Sequence, residues 1–309
     1  MSHSLEKLGK NGSTVVELFS WVRRQLFMAT TESIFGPKNP FRDSTLEQAW
    51  YNLSQQSRST CSKYCKADVA ATEIGQMVAS LTNSVPAAFW VIYHVFSDPV
   101  VLGDYRKEVE QLIHTDDSGL CTVNLANIKS ACPILLSTWQ ETLRYGHIGI
   151  SARVVMKDIM SDNKYLLKKG ATIMTIASVP HTEVSVWGPT VDIFDHRRFL
   201  RKHGEKSANP VAVRSFGGGA ALCPGRHFVS TEVMAFTALL LLQFDLKPVA
   251  TGGKWMEPRK FVPVTSAMPA TKDTLEVKNV SRDNRNWQVN YSAPAKGVDM
   301  VAEEFAQGQ

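Results

Sequence analysis

The sequence predicts a mainly α-helical fold with small β-sheets, on three observations. Apolar residues recur at helical spacing at Leu18, Phe19, Val22 and Leu26, and again at Leu135, Leu136, Trp139 and Leu143. Two further runs, residues 78–90 and 228–246, are apolar over lengths that suit buried helices. Turn and short-strand signals are concentrated after residue 252. With 309 residues and 44% hydrophobic content, the chain can bury a sizeable core as one large domain or two small ones.

Each element follows in order. Residues 1–12 are polar; from Ser13 to about residue 52 an amphipathic helix carries Val15, Val16, Leu18, Phe19, Val22 and Leu26, then turns at residues 34–41. A polar, basic stretch at residues 54–66 reads as a linker. Residues 78–90 form an apolar helix with a polar patch, Ser80, Thr82, Asn83 and Ser84, and Pro86 is placed to break it and free a carbonyl; a cavity lining and a helix simply packed in a core both look like this. In the helix at 132–145, Glu141 and Arg144 are three apart, so they share a face and can pair with each other and a third group. The run at 228–246 is a helix that presents its N-terminus to Cys223. Residues 252–269 are turns and short strands broken by Pro258 and Pro263, and the tail holds one hairpin at 275–280.

Cys223 is the most informative residue. It lies between glycines in the segment FGGGAALCPGRHF, residues 216–228, just before a long apolar helix. The free N–H groups and positive dipole end of that helix favour a thiolate, which could act as nucleophile, redox centre or metal ligand. A lone cysteine is also commonly just a small buried hydrophobe. A phosphate cradle is excluded: after Gly217 and Gly219 no third glycine stands at the dinucleotide-motif position, and no Lys-Ser/Thr pair follows.

The loop around Cys223 resembles the haem-ligand loop of cytochrome P450, F-x-x-G-x-R-x-C-x-G, with Phe216, Gly219, Cys223 and Gly225 in register. Glu141-Thr-Leu-Arg144 resembles the E-x-x-R of that family, and residues 192–199 resemble its P-E-R-F segment, making Arg198 the third member of a structural triad with Glu141 and Arg144. His181, Trp187, Gly188 and Pro189 resemble the stretch leading to that segment, and Arg153 falls where the family places an arginine on a haem propionate. The arrangement A-S-x-x-N-[ST]-x-P-A-x-F-W at residues 79–90 resembles the branch of sterol 7α-hydroxylases, prostacyclin synthase and their fungal relatives, which carries asparagine where most members carry an acid-threonine pair. Ala221, in place of the usual arginine, suits that branch. Trp21 and the G-P-x-N-P segment at 36–40 resemble a haem-side helix and a fungal turn of the family.

The resemblance implies a cytochrome P450 fold and haem b, with Cys223 as axial ligand to iron, Phe216 shielding the sulfur, and Arg153 holding a propionate. It implies that Thr82, Asn83 and Ser84 organise oxygen and protons, and that electrons come from NADPH through a cytochrome P450 reductase. The expected reaction is monooxygenation of a lipophilic small molecule such as a sterol, a terpenoid or another secondary metabolite. A peroxide isomerase and a catalytically inactive haem-binding remnant are the competing expectations. Set against the family, the chain is expected to lack the N-terminal anchor and sheet region and much of the substrate lid. The resemblance divides it into a remnant of the N-terminal half (1–68), a haem-binding core (69–270) and a C-terminal strand and tail (271–309).

Composition limits the partners. A net charge of +5 without a long basic run argues against nucleic acid. The five cysteines, an odd number in a chain with no secretory signal, suggest a reducing compartment, and the Cys61/Cys65 pair lacks the second ligand pair a metal site needs. No uninterrupted apolar run approaches the ~18 residues of a membrane span; the stretch at 228–246 is broken by Ser230, Thr231, Glu232 and Asp245. The expectation is therefore a cytoplasmic or peripherally membrane-bound protein, although the family tends to the endoplasmic reticulum.

Overall fold

A computed structural model describes residues 13–56, 75, 77–117, 119–200, 212–219, 222–262, 266–282, 285 and 287–291. The chain opens with β1 (Ser13–Glu17), α1 (Leu18–Phe35) and α2 (Ser44–Gln56), followed by α3 (Ser84–Ser97) and α4 (Pro99–Glu110). Next come β2 (Ile113–Thr115), β3 (Cys121–Asn124), α5 (Ile128–Ala131) and α6 (Pro133–Gly146). The short strands β4 (Ile150–Val154), β5 (Ile159–Ser161), β6 (Tyr165–Leu167) and β7 (Thr172–Ile176) lead to α7 (Ser178–His181) and α8 (Val184–Trp187). After α9 (Arg226–Gln243) the chain is extended, in β8 (Phe244–Pro248), β9 (Lys260–Phe261), β10 (Ala270–Thr271), β11 (Glu276–Ser281) and β12 (Trp287–Asn290). The architecture is mainly helical with small sheets, as expected.

The core is built on α3. Twelve of its fourteen residues are buried, including Phe89, Val91, Ile92 and Val95 at 0% exposure. Only a helix surrounded on all sides is apolar all round. Leu18, Val22 and Leu26 of α1, Leu135 and Trp139 of α6, and Val233, Phe236 and Leu240 of α9 close on it as one cluster. Among the described residues no single helix is long and apolar enough to cross a membrane.

Four expectations are corrected. Val15 and Val16 are in β1, not in the first helix: their β-branched side chains suit a pleated surface, and β1 pairs antiparallel with β11, Val16 against Val277. The helix starts at Leu18 because Glu17 caps it, its carboxylate accepting the N–H groups of Phe19 and Ser20 at 3.1 and 2.7 Å. The helix after Cys223 stops at Gln243, and Phe244 and Leu246 alternate into the core from β8 instead. The predicted hairpin at 275–280 is a single strand, β11, lying between β1 and β8, because its partners come from distant parts of the chain. α2 also extends to Gln56, into the stretch read as linker; Cys61, Cys65 and Ala221 lie outside the described residues.

Candidate functional site

The Cys223 loop is a compact turn held by its own backbone. The Cys223 N–H donates to the Phe216 carbonyl at 3.0 Å and the Leu222 N–H to the Gly219 carbonyl at 3.1 Å. Gly217 and Gly219 have φ of 77° and 60°, a region that side-chain-bearing residues avoid, so these glycines are what allow the loop to fold back. Gly225 is the N-cap of α9, and the Arg226 guanidinium donates to the Cys223 carbonyl at 3.1 Å. The cysteine is half-buried and free, immediately upstream of the α9 N-terminus.

A cavity of about 430 Å³ opens at Cys223. Its wall is mostly apolar, with Phe216, Phe228, Val229, Leu143, Trp139 and Met268. A second stripe of the wall runs from the break before α3 into its first turn: Ala79, Ser80, Asn83, Ser84 and Ala87 line the cavity at helical spacing. Pro86 has no N–H to give the Thr82 carbonyl, which lies 3.3 Å from the Ser266 hydroxyl, whose proton goes to the Met268 carbonyl at 2.6 Å. Asn83 Oδ1 accepts the Ala267 N–H at 2.7 Å, tying the loop carrying Met268 to this stripe. The Ser84 hydroxyl donates back to the Ser80 carbonyl at 2.8 Å. Thr82 is not on the cavity wall.

Beneath the site, the structure brings Glu141, Arg144 and Arg198 together. Arg144 donates to both Glu141 oxygens, and Arg198 Nε donates to Glu141 Oε1 at 2.9 Å. The remaining guanidinium donors reach backbone carbonyls: Arg144 those of His181 and Val191, Arg198 those of Thr190 and Ile193. These bonds gather residues 181–193 around α6, and a fully satisfied buried network of this kind fixes one arrangement of its segments. Arg153 stands apart: it is exposed on β4, bonded to the neighbouring Ala152 carbonyl, and absent from the cavity wall. Trp21 also lies off the wall and packs on Phe236, while Thr30, Ser33 and Ile34 of the same helix line the cavity.

Three titratable groups are displaced by burial around the site. His147 lines the cavity and is held down to about 4 by desolvation. His181 is held down to about 3, by desolvation first and then by His147 and Arg144. Glu232 on α9 is pushed up to about 7 by desolvation, partly offset by the hydrogen bond it accepts from Thr30 at 2.8 Å. Neither His147 nor Met268 stands out in the sequence; His147 reaches the cavity where α6 ends and Met268 where a loop returns.

The donor set fits a haem. Among the described residues no group of three or more His, Cys, Asp or Glu could hold a bare metal ion. One soft sulfur facing an apolar chamber suits an iron that arrives with its own macrocycle and needs a single axial ligand.

The Cytochrome P450 family profile matches residues 14–277. The chain is 30% identical to the Cytochrome P450 monooxygenase nodJ of Hypoxylon pulicicidum over 83% of this chain and 61% of that protein. It is 28% identical to a Cytochrome P450 monooxygenase of Gibberella zeae over 82% of this chain and 59% of the relative. With the 7-alpha-hydroxycholest-4-en-3-one 12-alpha-hydroxylase of Oryctolagus cuniculus it shares 29% identity over 55% of this chain and 37% of that enzyme. The chain thus spans about three fifths of the length of the first two curated relatives.

Proposed function

This chain belongs to the cytochrome P450 family, and from that premise we propose that it carries the haem-thiolate site of a monooxygenase acting on a lipophilic small molecule. The observation that supports this most is the single cavity wall shared by Cys223 and the Asn83–Ser84 stripe. Cys223 would ligate the iron and Phe216 would cover the sulfur from the same loop. Bound haem would supply oxygen-activating redox chemistry, fed by a reductase that draws on NADPH.

The remaining work belongs to side chains. Asn83 uses its carboxamide oxygen to hold the Ala267 N–H, which leaves its N–H groups to hold a water or a ligand oxygen in the chamber. Ser84 gives its proton to the Ser80 carbonyl, so toward the cavity it can only accept. The two therefore form a donor–acceptor pair able to order one water, the element a proton path needs. The apolar wall excludes other water and favours a lipophilic ligand. Arg153 would have to release the Ala152 carbonyl to reach a propionate.

The test is the carbon-monoxide difference spectrum of the reduced protein supplied with haem. A strongly red-shifted Soret band, lost in Cys223→Ala, is the expected result. Failure to take up haem, or the same band in Cys223→Ala, overturns the assignment. Turnover that requires NADPH and reductase then separates a monooxygenase from a peroxide isomerase, which requires neither.

A further inference from the structure

Two imidazoles beside the cavity lack hydrogen bonds they can make. His181, at 0% exposure, accepts the Arg214 backbone N–H on Nε2 at 2.9 Å, so its own proton is on Nδ1. That buried Nδ1 has no partner among the described residues, which is uncommon in a folded protein and calls for an explanation. His147 lies with its ring centre 6.1 Å away, the two rings inclined at 63°. His147 is on the same wall as Cys223 and Asn83, and its imidazole makes no hydrogen bond among the described residues. Gly149 makes room for it: a Cβ there would stand 2.5 Å from His147 Nε2.

We propose that His147, backed by His181, is a carboxylate-binding subsite of the cavity, selecting lipophilic acids among ligands. His181 Nδ1–H donates to one nitrogen of His147, directly after a small turn of that ring or through one water, and this places the His147 proton on the nitrogen that faces the chamber. The relay starts at the Arg214 N–H, one residue before the cavity-lining Ser215 and Phe216. Its charge environment favours an anion: the Arg144 guanidinium acts on His181, and among the described residues no carboxylate acts on either ring. Glu141, the nearby acid, is occupied by Arg144 and Arg198. Burial keeps both rings neutral while the subsite is empty, and an arriving carboxylate stabilises a proton on His147.

The inference rests on the cavity being the ligand chamber proposed above. Its test compares wild type, His147→Phe and His147→Asn, with decanoate and 1-decanol as probes. Soret difference titration of the holoprotein and calorimetry of the haem-free chain are run in parallel. Wild type is expected to prefer decanoate by about tenfold, His147→Phe to lose the preference and His147→Asn, which keeps an N–H, to regain part of it. If the carboxylate served is a haem propionate instead, His147→Phe speeds haem transfer to apomyoglobin, while haem dimethyl ester leaves wild type and variant equally fast; that outcome keeps the carboxylate-binding subsite and overturns its selection of ligands. Equal binding of acid and alcohol by wild type, with haem transfer unchanged in His147→Phe, overturns the inference. A wild type that prefers decanoate in calorimetry but gives no thiolate spectrum overturns the haem assignment and leaves the subsite standing.

Discussion

The guanidinium of Arg144 donates to both oxygens of Glu141, three residues earlier on α6, at 2.7 and 2.8 Å, with neither residue more than 2% exposed. Such a pair does not stabilise simply by being buried, since desolvation offsets much of its attraction. Breaking it is costly, because the survivor is left charged and out of water. Glu141→Ala strands Arg144 and also takes the Arg198 Nε partner away. It is expected to destabilise the fold by about 3–5 kcal/mol, read from the midpoint of urea unfolding. Arg144→Lys should also fail, since an ammonium cannot reproduce the two-pronged contact. Near-wild-type unfolding of either variant would show that the network is dispensable.

Asn83 does two jobs, and one of them is mechanical. Its Oδ1 accepts the Ala267 N–H at 2.7 Å and lies 3.3 Å from the Ser266 hydroxyl. Asn83→Ala leaves that N–H without its acceptor and is expected to cost about 1–3 kcal/mol. Because the freed loop carries Met268 into the cavity, ligand affinity should fall as well. Asn83→Asp keeps the acceptor and should retain most of the stability while losing the cavity-facing N–H groups. A thermal midpoint for Asn83→Ala equal to that of wild type would remove the anchoring role.

These residues also show what a linear reading can reach. Cys223 and the Glu141–Arg144 pair are legible because their chemistry sits in local spacing: glycines that permit a tight loop, or an i, i+3 pair on one helix face. Pro86 is legible for the same reason, since its missing N–H frees the Thr82 carbonyl wherever the helix lies. The errors fall where the deciding partner is remote. Val15 and Val16 fit the helical stripe of Leu18 and Val22, and only the strand at Val277–Val280 turns them into β1. Phe244 and Leu246 likewise continue the apolar run of α9 until pairing with β11 claims them. His147 and Met268 reach the cavity through tertiary placement, which leaves no periodic trace.

Glu232 makes stability depend on pH. Burial on α9 raises it from the ordinary 4.5 to about 7. The folded state therefore holds the proton more tightly than the unfolded chain. The stability this contributes is fully present below pH 4.5 and is lost as pH rises through about 7. The loss is about 3 kcal/mol at most. His147 and His181, held down by burial, act in the opposite sense, gaining stability as pH rises from about 4 and about 3 toward 6.5. Glu232→Gln isolates the carboxyl: the difference in unfolding free energy between it and wild type should grow as pH rises from 4.5 to 7.5. A difference constant across that range would mean that Glu232 is ionised in the folded protein.

The ribbon of β4 and β7 presents an apolar face to solvent. Ile150, Ala152 and Val154 share one side of β4, and their antiparallel partners Ile176, Met174 and Thr172 share the same side of β7. Ile150 is 61% exposed, Val154 60% and Met174 66%. Exposed apolar patches of this kind drive association when nothing covers them, and among the described residues this two-stranded ribbon has two unpaired edges. The isolated chain is therefore expected to self-associate in a concentration-dependent way, visible by sedimentation velocity. Val154→Glu with Met174→Lys places opposite charges on this face without touching the cavity wall. The pair should shift the chain toward monomer while leaving its circular dichroism and unfolding midpoint unchanged. If the double variant associates as wild type does, the contact surface lies elsewhere on the molecule.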